Sequence, residues 1–134
     1  MTALTNDTNR VFEVNNDSNA VALAAGTKVF QGSLIGKTAT GYGRALEAGD
    51  TAMGFAKDNV DNTDGTDGEK IVEVKSMGKV SLFISGLTIA DIGKDVYASD
   101  DNTFTLTSTD NSKVGKIIRF EKSDYAIVYF NFLS

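Results

Sequence analysis

The 134-residue chain has no cysteine, no histidine, no tryptophan and no proline. Without cysteine there is no disulfide framework, no thiolate nucleophile, no iron–sulfur cluster and no thiolate zinc site. Without histidine there is no Ser-His-Asp or Cys-His machinery, no imidazole metal ligand and no titrating switch near neutral pH. Cations are also scarce: 13 Lys and Arg stand against 18 Asp and Glu, a formal charge of -5. They are spread singly, so no basic run tracks a phosphate backbone, and the sequence predicts no nucleic-acid partner. No apolar stretch approaches the ~20 residues of a membrane helix. Met1–Arg10 has neither a basic nor an apolar leader region, which predicts no signal peptide. Composition thus points away from most enzymes.

What remains is rich in Gly, Thr, Asn and Asp. Residues 1–19 are polar except for Val11-Phe12-Glu13-Val14, and such a segment buries too little to offset its ordering entropy. It reads either as a frayed terminus, with one added strand at most, or as an extended arm that orders against a neighbouring chain. Residues 20–134 read as a single β domain. Short apolar runs at Ala20–Ala24, Lys28–Gln31, Thr51–Ala56, Ile71–Val74, Val80–Ile84, Asp95–Ala98, Thr103–Thr107, Val114–Ile118 and Tyr125–Phe130 predict strands. Thr103–Thr107 alternates cleanly, with Phe104 and Leu106 directed at the core. Turn residues at such short intervals predict an all-β fold, a small sandwich or barrel-like domain. Leu87–Ile92 allows a short helical turn at most.

An internal echo predicts a duplicated β-unit. Gly26-Thr-Lys-Val-Phe30 matches Gly93-Lys-Asp-Val-Tyr97, and Met53-Gly-Phe-Ala56 matches Val114-Gly-Lys-Ile117 downstream. Gly26 and Gly93 are expected to supply positive φ at the turns entering their strands. The adjacent Val and aromatic residues then point to opposite faces, as in a strand packed on both sides. Residues 58–69, the longest polar interruption, read as an exposed loop joining the two halves.

Few groups in this chain could carry chemistry. Asp58–Glu69 is dense in carboxylates, yet aligning Gly65 or Gly68 to the EF-hand glycine puts Val60 or Thr63 where an Asp ligand is required. A looser calcium site in this loop stays open. Glu47, Asp50, Glu73 and Asp124 could in principle pair for glycoside hydrolysis, but none sits in a motif. Gly36-Lys-Thr38 lacks the preceding glycine of a phosphate loop, since position 31 is Gln31, and Gly41-Tyr-Gly43 reads as a hairpin turn. No catalytic residue, cofactor or metal site is assigned. The chain is expected not to be an enzyme.

Asp91-Ile-Gly-Lys-Asp-Val-Tyr-Ala-Ser-Asp-Asp-Asn-Thr-Phe-Thr-Leu-Thr107, with Val114-Gly-Lys-Ile-Ile118 and Tyr125-Ala-Ile-Val-Tyr129, carries a family likeness. It resembles the Asp-[Val/Ile]-Gly-Lys-x-Val-Tyr … Asp-Asp … Val-Gly-Lys pattern of the tailed-bacteriophage capsid cement (decoration) proteins. The likeness covers roughly residues 20–133 and departs in the N-terminal arm and the 58–69 loop. It implies a structural virion protein, assembled in the host cytoplasm, on the outer surface of an expanded capsid. There it would bridge neighbouring major capsid subunits, often as a homotrimer, with no membrane partner. An acidic surface suits the outside of a DNA-filled shell. If the arm orders against a neighbouring chain, Val11, Phe12 and Val14 are expected to add a strand to a capsid or sister subunit. The alternatives are a tail, fibre or virion-surface module whose loops bind host glycans, and a carboxylate-dependent hydrolase.

Overall fold

The computed structural model describes residues 3–7, 9–10, 13–14 and 16–134. Among the described residues it is all-β, with twelve strands in three sheets and one 3₁₀ turn. The strands are β1 (Ser18–Ala22), β2 (Thr27–Val29), β3 (Leu34–Lys37), β4 (Gly43–Ala45), β5 (Thr51–Ala56) and β6 (Val60–Asn62). β7 (Ile71–Lys75), β8 (Met77–Phe83), β9 (Asp95–Asp100), β10 (Thr103–Thr105), β11 (Ser112–Lys122) and β12 (Tyr125–Asn131) follow. The single 3₁₀ turn, Ile89–Asp91, lies within the stretch expected to hold no more than a helical turn.

The first sheet has the order β1-β7-β5-β3-β4, and the second, read from its far edge, β8-β12-β11-β9-β10. These are one topology used twice. A shift of 61 residues carries the β3–β5 pairing (Leu34↔Phe55, Ile35↔Gly54, Gly36↔Ala52) onto that of β9–β11 (Asp95↔Lys116, Val96↔Gly115, Tyr97↔Lys113). Even the register slip is shared, leaving Met53 and Val114 as the bulged residues. The hydrogen bonds Gly32 N to Ala56 O and Ala56 N to Ser33 O recur as Gly93 N to Ile117 O and Ile117 N to Lys94 O. The duplicated β-unit is therefore present, but one half of the echo is corrected: Gly32, not Gly26, is the counterpart of Gly93. Gly26 and Gly93 both have positive φ, 74° and 93°, as expected of turn glycines.

The glycines after the two bulges have a shared steric cause. A Cβ at Gly54 would lie 2.5 Å from the carbonyl oxygen of Lys75, and one at Gly115 would lie 2.0 Å from that of Tyr129. Lys75 and Tyr129 pair with Phe55 and Lys116 in their respective sheets, so both bulges press the backbone onto the same neighbouring carbonyl.

Three further expectations change. The Val and aromatic of the first echo do not mark a strand packed on both sides: Val29 is fully buried, whereas Phe30 is 56% exposed. β3 and β4 form although their segments lack an alternating apolar pattern. Residues 58–69 do not join the halves. They lie between β5 and β7 inside the first half and contain β6, which pairs with β2. The junction is Ser76, whose N–H donates to Asp17 O and whose carbonyl accepts from Phe132 N.

The first half builds its own interior from Val21, Leu23, Val29, Ile35, Ala56, Val72 and Val74. A parallel bridge between Leu23 and Gly43 draws the outer strands β1 and β4 together at one end. The larger core is shared. Leu34, Leu46, Ala52 and Phe55 of the first half pack onto Leu82, Val96, Phe104, Val128 and Phe130 of the second. Phe55 sits at its centre, edge-on to Phe130 at 5.1 Å and tilted against Phe104 and Phe132.

Candidate functional site

Of the three apolar residues proposed for subunit contact, Val11 and Phe12 lie outside the described residues. Val14 is described and is 90% exposed. The arm meets the body at the seam between the halves, where Ser76 Oγ donates to the carbonyl of Asn16 at 2.8 Å. Every described residue between 3 and 14 is exposed.

The carboxylates weighed for chemistry do not converge. Asp50 accepts a bidentate pair from Arg44 Nε and Nη2, both at 2.9 Å, while Arg44 Nη1 reaches Glu47 at 3.1 Å. The Arg44 hydrogen bonds hold the Asp50 carboxyl below its ordinary range, helped by the Glu47 backbone N–H. Gly36 makes room for this clamp, since a Cβ there would lie 2.6 Å from Asp50 Oδ2. Glu73 stands exposed on β7. Asp124 turns the β11–β12 hairpin with φ 63° and accepts from Gly86 N.

The 58–69 loop uses its polar groups on its own backbone and on that of the neighbouring residues 23–25 and 31. Asp67 Oδ1 accepts from Ala25 N at 2.8 Å, Glu69 from Thr66 N, and Asp61 from the N–H and hydroxyl of Thr63. The Thr63 hydroxyl is the main cause of a lowered Asp61 pKa. Asn62 is buried, and its Nδ2 donates to the carbonyls of Leu23, Ala24 and Thr66, while its Oδ1 has no hydrogen-bond partner among the described residues. Among the described residues no group of three acidic side chains could hold a metal ion.

The Asp91–Thr107 motif has a structural explanation. Asp91 accepts from Lys94 Nζ at 2.8 Å and from the Thr88 N–H at 2.9 Å, and the Lys94 contact is the larger cause of its lowered pKa. Gly93 then takes positive φ and Val96 is fully buried. Asp, Gly, Lys and Val in this spacing shape the entry to β9.

Sequence reasoning did not detect a surface on the outer face of the second sheet. Cross-strand pairing lays out neighbouring rows there: Lys113 beside Tyr97, Lys116 beside Tyr129 and Lys79, Arg119 beside Ile127, and Lys122 beside Tyr125 and Phe83. Lys122 Nζ lies 4.8 Å from the Tyr125 ring centre, and Phe83 meets Tyr125 edge-on at 5.5 Å. These cations come from β8 and β11 and the aromatics from β8, β9 and β12, so no local pattern announced them. An open groove of about 540 Å³ borders the face, lined by Asp50, Ala52, Lys113, Lys116, Tyr129 and Phe132 among others. No helix among the described residues is long and apolar enough to cross a membrane. Comparison with family models, curated proteins and solved structures finds no match.

Proposed function

We propose that this chain is a structural, non-enzymatic protein of a phage virion, binding the outside of an expanded capsid and bridging neighbouring major capsid subunits, as a homotrimer. The observation that carries the reading is the arm: a polar segment with Val14 almost fully exposed, leaving the body at the seam between two packed β-units. An extended segment of this kind gains by adding a strand to a neighbour, because main-chain hydrogen bonds supply affinity and alternate side chains supply fit. Repetition over a lattice makes modest individual contacts sufficient. The likeness of Asp91–Thr107 to the cement proteins supports the reading, chiefly through the turn and strand those residues build.

The test is co-sedimentation with expanded, emptied phage capsids. Deleting residues 2–14 is expected to abolish binding while the circular dichroism spectrum and melting temperature stay unchanged. Undiminished binding by the truncated chain would remove the arm from the mechanism. Failure of the intact chain to bind shells would remove the capsid reading altogether.

A further inference from the structure

We infer that the outer face of the second sheet is a docking surface for an acidic polypeptide segment of a partner protein, a reading independent of the capsid assignment. In residues 77–134 every cation except Lys94 lies on this face: Lys79, Lys113, Lys116, Arg119 and Lys122. Its two carboxylates are already engaged. Asp95 lies 3.8 Å from Lys113, and Glu121 accepts from Ser81 Oγ at 2.6 Å. Lys79, Lys116 and Arg119 form no ion pair among the described residues. A positive face on a chain of net charge -5 is a local arrangement, not a reflection of composition.

The duplication supplies an internal control. Positions 79, 83, 125 and 129 correspond to Ser18, Ala22, Ile71 and Lys75 of the first half. The same backbone therefore forms without the cation–aromatic rows, and the fold does not demand them. Tyr129 and Phe83 are 41% and 52% exposed, so the face offers apolar area as well as charge. Tyrosine flanked by cations suits a segment that interleaves carboxylates with apolar side chains: the carboxylates meet the ammonium groups while the rings bury the apolar ones. The bordering groove is lined by Tyr129 and Phe132 but also by Asp50 and Asp95, so it suits an apolar part of such a segment and leaves the carboxylates to the cations of the face.

The experiment titrates the ¹⁵N-labelled full chain with a short synthetic peptide of Glu and Asp interrupted by leucines, and separately with an oligothymidylate of equal charge. The peptide is expected to shift amides in β8, β11 and β12 and to weaken with added salt. Lys79→Glu/Lys116→Glu/Lys122→Glu should reduce its affinity at least about tenfold. Lys28→Glu/Lys37→Glu, on the first half, should leave it unchanged, and unchanged spectra outside the face show that the fold survives. Binding of the oligothymidylate alone, no binding of either probe, or equal losses in the two variants would overturn the inference. So would self-association of the free chain that disappears in the triple variant, since the face would then serve a second copy.

Discussion

Asp50 illustrates how a carboxylate that looks available in sequence is committed by its surroundings. Its side chain is 9% exposed and bonded to Arg44 in fork geometry, with the Glu47 N–H as a further donor. Charge-assisted bonds of this kind contribute about 1.5–3 kcal/mol when buried, and the partly exposed guanidinium places this pair near the lower end. Because the folded carboxyl is held below its ordinary pKa, its contribution is complete above the unfolded value and disappears as pH falls through the folded one. Asp50→Asn is thus expected to destabilise by about 1–2 kcal/mol at neutral pH. The gap from wild type should close in acid, as read from urea midpoints across a pH series. A gap that stays constant down to the most acidic point would contradict the ionic origin.

Among the elements, β6 was the least legible. Its segment is Val-Asp-Asn inside a run of Asp, Asn, Thr and Gly, which predicts only a loop. What makes it a strand is distant: pairing with β2, and Asn62 donating to carbonyls contributed by residues 23, 24 and 66. Removing that amide deletes hydrogen bonds that contribute about 0.5–1.5 kcal/mol each, although the three carbonyls keep Gly68 N, Thr27 Oγ1 and Glu69 N as donors, so Asn62→Ala should cost about 1–3 kcal/mol. Asn62→Asp should cost more, because a carboxylate cannot donate to those carbonyls and would be buried beside them. Thermal denaturation of the two variants ranks them, and a milder effect for Asp would argue against the donor role. The Asp91–Lys94 turn is the opposite case. Its helical turn and the positive φ of Gly93 were readable because both are set within a few consecutive residues, whereas the Asp91 cap on Thr88 and its ion pair with Lys94 emerged only in the fold.

For the whole molecule, the repeated units explain both the shared core and where the array stops. The first half docks through Leu34, Ala52 and Phe55 onto the second. At the corresponding positions the second half carries Asp95, Lys113 and Lys116. Charges at those positions make the corresponding face unable to bury against a third unit without desolvating them. The triple change Asp95→Leu/Lys113→Ala/Lys116→Phe should therefore expose a copy of the first half's docking face and cause concentration-dependent self-association. Sedimentation velocity checks this, and a variant that sediments like wild type at all concentrations would refute it.

Local chemistry accounts for the all-β class, the short helical turn, most of the strands and the turn glycines, because alternation, β-branching and positive φ act within a few residues. The existence of a repeat was also visible, through the Met53–Ala56 and Val114–Ile117 steps. Its register was not, because few side chains at equivalent positions match and the equivalence rests on backbone pairing. Pairing between distant strands also decided that Gly32 answers Gly93, that Asp50 belongs to Arg44, and that cations scattered along β8 and β11 meet the aromatics of β12 on one face. Those contacts depend on which residues stand opposite one another, and only the folded chain sets that register.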